Sequence, residues 1–389
     1  MKKLRKAAAI LLILFVLTFT ALLIALPQKT YSSSEKRNLS RFPQFSLSAV
    51  ADGSFMSGIE DWAADQFPLR DFFMRARTTI LNVAGQNESH GVYRMKDGSL
   101  AERFDGSDPE QYAETIEALQ AFAARYPSIP KYFMLVPNAV SQNASLLPTA
   151  AITEDQNTYI DRFYQDLNAG KDAASAAFYR TPDVRESFAA AKKEGLRLYY
   201  RSDHHWTTSA ARLGYQLLAG GNFMDLRRKD RALPLSTVCS TFTGSLAAES
   251  GYRVKEPDSI EVYTFPQDFY FTVYYIDETK RVATCYQMEK LSGDDPYQVF
   301  FGGNHPLIDI QTSAGTGRKL LVFKDSYANA FLPFMFEDFD EIEIVDPRYY
   351  YEDIDALAGA GGFTDILFLY NVNTFSEDTN LKVVLNNNQ

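Results

Sequence analysis

Five short strand-like runs constrain this chain more than any other feature. They cover Lys131 to Val136, Leu196 to Tyr200, Lys319 to Phe323, Glu341 to Val345 and Asp365 to Tyr370. Each ends in polar or turn-forming residues: Pro137-Asn138, Arg201-Ser202-Asp203, Lys324-Asp325-Ser326, Asp346-Pro347-Arg348 and Asn371. Helical periodicity fills the gaps at Glu110 to Tyr126, Thr158 to Leu167, Asp183 to Lys193 and about Thr207 to Ala219, with a further helix from Tyr327. Gly195 supplies a helix stop before the second run. Strands alternating with helices predict an α/β fold, with the polar strand exits gathered along one edge of the sheet.

The remaining segments depart from this alternation. Residues 225–318 carry short aromatic alternations, such as Val262-Tyr263-Thr264-Phe265 and Phe269 to Tyr275, which predict an antiparallel β insertion. Val92 to Leu100 reads as a hairpin turning at Lys96-Asp97-Gly98. Trp62, Phe67, Leu69, Phe72, Phe73 and Ile80 recur at helical spacing over residues 58–84, with Pro68 breaking or starting a helix. Residues 27–60, with Ser32-Ser33-Ser34, Pro27 and Pro43, read as a stalk and docking segment.

The amino terminus points to a compartment. Lys2, Lys3, Arg5 and Lys6 precede an uncharged apolar run from Ala7 to Leu26. At the helical rise that run matches the hydrocarbon core of about 30 Å. Basic residues on its leading side predict a cytoplasmic amino end. A cleaved signal peptide is the competing reading, but Ile24 and Leu26 stand at −3 and −1 before Pro27, where small residues belong. The expected division is therefore a cytoplasmic end and anchor at 1–26, a stalk at 27–60, and a domain from 61 to 389 on the extracytoplasmic side. The net charge of −10 argues against nucleic-acid partners. The 29 phenylalanines and 23 tyrosines read first as a thick aromatic core, with a sugar-binding groove as the sharper alternative. Cys239 and Cys285 exclude a CxxC site and leave one disulfide open outside the cytoplasm.

Chemistry concentrates at Arg201-Ser202-Asp203-His204-His205-Trp206-Thr207-Thr208, which holds two of the four histidines and one of the two tryptophans. Asp203 and His205 are two apart at a strand end, so in a loop the carboxylate can orient the ring. That supplies the acid and base of a hydrolase-type triad. Ser326 supplies a nucleophile: it follows a buried-looking strand and opens a helix, beside N–H groups suited to an oxyanion. Asp203, His204, His205 and His305 are also zinc-ligand types. Adjacent histidines point apart on an extended chain, and no HExxH-like spacing exists, so no metal or cofactor is expected.

These residues carry a family resemblance. Asp203-His204-His205-Trp206 with Lys324-Asp325-Ser326 resembles the DHHW-motif family, itself similar to the SGNH-hydrolase-like proteins that O-acetylate alginate and other exopolysaccharides. Ser34-Glu35-Lys36-Arg37-Asn38, Phe42-Pro43, Asp65-Gln66-Phe67-Pro68-Leu69-Arg70 and Gly91-Val92 to Gly98 fit the same resemblance. It implies an SGNH-like three-layer, flavodoxin-like domain with a triad of Ser326, His205 and Asp203. The serine block here follows the histidine block, so a circular permutation is expected. Asn371 then falls where the SGNH asparagine donor belongs. Asn304 in Gly302-Gly303-Asn304 is a rival oxyanion donor, with Arg348 or backbone as further choices, and Tyr370 and Asn373 are candidates to line the pocket. The implied activity is an extracytoplasmic O-acetyltransferase or acetylesterase acting on a polysaccharide through an acyl-serine, with a membrane-bound O-acyltransferase as partner. A non-catalytic glycan-binding or assembly subunit is the alternative.

Overall fold

The computed structural model describes residues 2–32, 37–171, 175, 177–220, 223, 224, 226 and 232–387. Ser33, Ser34, Glu35 and Lys36, together with residues 225 and 227–231 at the start of the expected insertion, lie outside the described residues. The chain falls into two units, Met1–His90 with Ala247–Arg253, and Gly91–Leu246 with Val254–Gln389.

In the first unit, α1 (Lys2–Ala25) contains a 21-residue stretch, Arg5–Ala25, long and apolar enough to cross a membrane. The amphipathic pattern at 58–84 resolves into α2 (Ser54–Asp65) and α3 (Arg70–Val83). Pro68 cannot continue a helix, and the break falls at Gln66 to Leu69, where Leu69 adopts φ 60°.

In the second unit, Val92–Arg94 and Leu100–Glu102 pair antiparallel around the expected turn, with Gly98 at φ 84°. The main sheet contains β1 (Lys131–Val136), β2 (Tyr179–Arg180), β3 (Phe271–Tyr275), β4 (Lys280–Val282), β5 (Leu307–Thr312), β6 (Lys319–Lys324), β7 (Glu341–Val345) and β8 (Asp365–Asn371). Their order is β4-β3-β5-β7-β6-β8-β1-β2. The five strands from β7 to β2 are parallel. Counted from β6 as first, they run 2-1-3-4-5, a doubly wound order in which the chain starts at the fourth strand. The expected permutation is thus present in the connectivity.

The antiparallel segment is not a separate module. β5 pairs with β7, Leu307 opposite Val345, and β3 and β4 extend the same sheet outward. Among the described strands of this segment, only the ribbon of residues 235–242 and 258–263 stands apart from it.

The run at 196–200 is not a sheet strand. Tyr199 forms an isolated antiparallel bridge with Trp206, and Thr207 N–H donates to the Leu198 carbonyl at 2.8 Å. Its apolar side chains are there for the core: Leu198, Tyr199 and Tyr200 are all buried. The fifth parallel strand is β2, two residues long and too short to leave a sequence pattern.

Aromatic content goes mainly to packing. Phe323, Phe368 and Phe133 lie opposite one another on β6, β8 and β1, with near-parallel rings 4.6 and 5.4 Å apart. Phe122 of α4 (Pro109–Arg125) meets Phe323 and Phe368 edge-on, fixing that helix over the sheet. Asp108 caps α4 by accepting from the N–H groups of Glu110 and Gln111. Both cysteines are free thiols, Cys285 buried and Cys239 partly exposed.

Candidate active site

Ser326 follows β6, the strand at which the sheet order reverses. Every residue from Leu320 to Phe339 is buried except Ser326. Ser326 is therefore the one partly exposed residue in an otherwise buried segment. The segment after it is α-helical only over Ala328–Phe331 and continues as 3₁₀ turns through Asp338. Four α-helical residues make little macrodipole, so the helix expected from Tyr327 contributes less charge stabilisation than its position suggested.

The Asp203-His204-His205-Trp206 segment is a bent loop fastened on three sides. Arg201 and Ser202 N–H groups donate to Asp258 at 2.8 and 3.0 Å, and the Ser202 hydroxyl adds a bond of 2.7 Å. Trp206 is fully buried, and its indole N–H donates to the Tyr327 carbonyl at 2.9 Å. This bond ties the motif directly to the residue after Ser326. Thr243-Gly244-Ser245 closes the third side. Ser245 N–H and hydroxyl donate to Asp203 Oδ2 at 2.7 and 3.1 Å. Gly244 is needed for the approach, because a Cβ there would stand 2.2 Å from Asp203 Cβ.

These constraints place three side chains in one hydrogen-bonded row. Asp203 Oδ1 accepts from His205 Nδ1 at 2.6 Å, and Ser326 Oγ donates to His205 Nε2 at 2.8 Å. The His205 backbone N–H also donates to Asp203 Oδ1, at 2.9 Å. Burial and the neighbouring His204 depress the His205 pKa to about 4, leaving the ring neutral at pH 7. Burial works against the charge on Asp203, but His205, His204 and these hydrogen bonds hold its carboxyl well below the usual range. Tyr297 stacks on the His205 ring at 3.7 Å and 14°, and its hydroxyl donates to the Ser326 carbonyl at 3.2 Å.

The two histidines do not point apart. Their rings lie 3.8 Å apart, because residues 201–205 bend rather than extend. Asp203, His204 and His205 bring ligand-type atoms within 4.8 Å of one another. Both Asp203 oxygens and both His205 nitrogens are nevertheless engaged within the protein, and His204 Nδ1 bonds the Ser245 hydroxyl at 2.8 Å. His305 is elsewhere, paired with Asp277 at 3.1 Å.

The expected oxyanion and pocket residues separate. Asn371 is the N-cap of the helix that follows β8, and its side-chain oxygen accepts from the Thr374 N–H. Its amide nitrogen donates to Asp325 at 2.6 Å and Thr374 at 2.7 Å, so both its hydrogens are spent internally. Burial pushes the Asp325 carboxyl up to about 6, while the Arg348 charge and the backbone N–H groups of Asn371 and Tyr327 support its charge. Tyr370 does not line a pocket; it is fully buried beside Phe133 and Phe375. Asn373 is likewise buried, accepting from Gln156 at 2.7 Å. Asn304 is different. Its side-chain oxygen takes the buried Lys324 ammonium at 2.8 Å and the Asn329 amide at 3.1 Å, which turns its own NH₂ away from both. The left-handed run Phe301-Gly302-Gly303, with φ of 60, 79 and 122° and strain confined to Phe301, delivers Asn304 to this position. Arg348 grips Asp346 through two bonds of 2.8 and 2.7 Å, and Asp346 also holds Lys324 at 3.1 Å. The Ser326 N–H makes no hydrogen bond among the described residues.

Sequence reasoning missed Tyr297, Gly244 and Ser245: Gly244 lies in a loop, Ser245 opens a six-residue helix and Tyr297 sits in a four-residue 3₁₀ turn, all too short to show a periodicity. It also missed the buried amide network in which Asn138, at the exit of β1, donates to Asn371 at 3.1 Å and Tyr327 at 3.0 Å. Polar residues at strand exits were the available signal, but contact between exits is a tertiary fact.

The 2-1-3-4-5 sheet, with Ser326, His205 and Asp203 in a row at its switch point, has an SGNH hydrolase-like fold. The sequence profile of the SGNH hydrolase-like domain of the acetyltransferase AlgX matches residues 107–243. The DHHW protein profile matches residues 35–114 and 184–345, more than half of the chain, and the chain belongs to that family. A DHHW family protein from Eubacterium siraeum has a similar structure, with a TM-score of 0.63 at 22% identity over 77% of this chain and 96% of that one. Bacillus cereus PatB1 gives 0.58 at 20% identity, over 74% and 97% of the two chains. No curated protein sequence matches this chain.

Proposed function

We propose that this protein is a serine O-acetyltransferase or acetylesterase acting on a polysaccharide through an acyl-serine. The observation that carries this reading is the row Ser326–His205–Asp203, with contacts of 2.8 and 2.6 Å. His205 takes the proton of Ser326 as Oγ attacks the acetyl carbonyl. Asp203 holds the ring tautomer and stabilises the imidazolium. The tetrahedral oxyanion is held by the Ser326 N–H and the Asn304 amide, with the Lys324 ammonium behind Asn304 orienting it. Collapse expels the donor, which takes the proton from His205. A sugar hydroxyl, or water, then attacks the acyl-serine with His205 again as base. Bacillus cereus PatB1, which shares this fold, has been solved with a sulfonyl adduct, in keeping with the reading.

The same proposal places the amino-terminal residues 1–26 as an anchor, 27–60 as a stalk, and the domain from 61 outside the membrane. A membrane-bound O-acyltransferase would then deliver acetyl groups across the bilayer. The test is mass spectrometry of the full chain after brief exposure to an activated acetyl ester. The expected result is one acetyl on Ser326, lost in His205→Ala. A protein that binds glycan but never acetylates Ser326, and is as inert as Ser326→Ala, would instead be a non-catalytic assembly subunit.

A further inference from the structure

The Asp65-Gln66-Phe67-Pro68-Leu69-Arg70 motif takes no part in the chemistry above, yet its side chains make specific contacts. Gln66 accepts from the Lys29 N–H at 3.0 Å and donates back to the Lys29 carbonyl at 2.8 Å. It also reaches the Ser40 carbonyl at 3.3 Å, while Asp65 accepts from the Ser40 N–H at 2.8 Å. The turn between α2 and α3 is therefore buckled to the segment that leaves α1. Lys29 is only four residues beyond Ala25, the last residue of that helix. Arg70 stands 3.7 Å from Asp65 and backs the buckle.

The other side of the turn touches α1 itself. The Phe19 ring stacks on Phe67 at 5.1 Å and 10°, and meets Phe73 edge-on at 6.1 Å. Phe19 lies six residues inside the end of α1, about 9 Å at the helical rise. If α1 spans a bilayer, Phe67 and Phe73 are carried to that same depth. Their neighbours are large, apolar and uncovered: Leu69 is 67% exposed, Phe72 64% and Ile80 67%. Arg77 of α3 is also exposed, a basic residue suited to an anionic headgroup.

We infer that the turn at Gln66 to Leu69 and the apolar side of α3 form a membrane-resting surface, seated in the headgroup–acyl boundary of the leaflet where α1 ends. This rests on the reading of α1 as a membrane anchor. The surface makes the anchor more than a tether: the buckle fixes the first unit against the bilayer instead of letting it swing on a free stalk.

Two tryptophan probes test this in the full chain, reconstituted in phosphatidylglycerol–phosphatidylcholine nanodiscs with lipids brominated along the acyl chain. Phe15→Trp reports α1, and Leu69→Trp reports the turn, each against the wild-type signal of Trp62 and Trp206. Quenching of Phe15→Trp by deeply brominated lipid and of Leu69→Trp by shallowly brominated lipid is expected. Adding Gln66→Ala should then reduce the Leu69→Trp quenching, because the turn is released. Ile80→Trp serves as a second reporter should Leu69→Trp fail to fold. Quenching of Phe15→Trp with neither turn nor α3 probe quenched overturns the membrane surface, leaves the anchor standing, and points to a protein on that face instead. No quenching of Phe15→Trp overturns the anchor and this inference together.

Discussion

His205 sits between opposing demands. It must be neutral to accept a proton, yet charged in the transition state. Burial and His204 depress its pKa to about 4, and Asp203 stands 2.6 Å away to receive the imidazolium. Acetyl ester hydrolysis should therefore keep its rate down to about pH 4, with kcat/KM falling only below that, where an ordinary histidine would fail near pH 6.5. A pH–rate profile of the full chain checks this. The stability sign follows the same shift: the folded state excludes a proton the unfolded chain binds, so this group's contribution is complete above pH 6.5 and is lost as pH falls towards 4. Asn304 and Asn371 are separable at this scale too. Asn304→Ala should lower kcat by roughly 10²-fold, the typical cost of one oxyanion donor, and also lower the melting temperature, since the buried Lys324 and Asn329 lose an acceptor. Asn371→Ala should chiefly destabilise the fold by about 1–3 kcal/mol, since Asp325 loses a buried donor, and calorimetry alongside kinetics distinguishes the two.

At the scale of elements, the site is assembled from loops held together rather than from one strand and one helix. The indole of Trp206 bonds the Tyr327 carbonyl, joining the base-bearing loop to the nucleophile segment across 121 residues. Trp206→Phe keeps an aromatic ring but removes the indole N–H bond to that carbonyl. The expected cost is about 0.5–1.5 kcal/mol in urea unfolding, with a loss of kcat/KM as His205 drifts from Ser326. Gly244→Ala tests the other fastening. Its Cβ would strike Asp203, so kcat/KM should fall sharply while the circular dichroism spectrum persists. The motif residues themselves were legible in the chain. Ser245, Gly244 and Tyr297 were not, because nothing local to a loop or a single short turn reports which carboxylate or ring it will meet.

Across the whole molecule, the antiparallel edge of the sheet stores a pH-dependent strain. Glu343 on β7 lies opposite Asp309 on β5, and burial together with Asp309 and Glu341 pushes Glu343 up to about 8. Lys319 offsets this only in part. The folded state thus prefers a protonated Glu343, and stability is lost as pH rises from about 4.5 through 8. Glu343→Gln should raise the melting temperature at pH 8 and change it little at pH 4.5, as thermal scans at the two values would show. The same edge explains why the expected insertion is no separate module. Its strands complete the main sheet, so the residues between the two halves of the site also build the framework under it. The sequence alone determined the alternation of strands and helices, the polar residues at strand exits, and the Asp-His-His-Trp and Ser326 pieces, because periodicity and residue chemistry are local. Only the tertiary structure decided that Leu196 to Tyr200 is core packing rather than a strand. It also decided that Asn371 caps a helix and gives its amide hydrogens to Asp325 and Thr374, and that Ser326 alone emerges from a buried segment. Those outcomes depend on which distant groups compete for each hydrogen bond and each buried volume, and no local pattern carries that information.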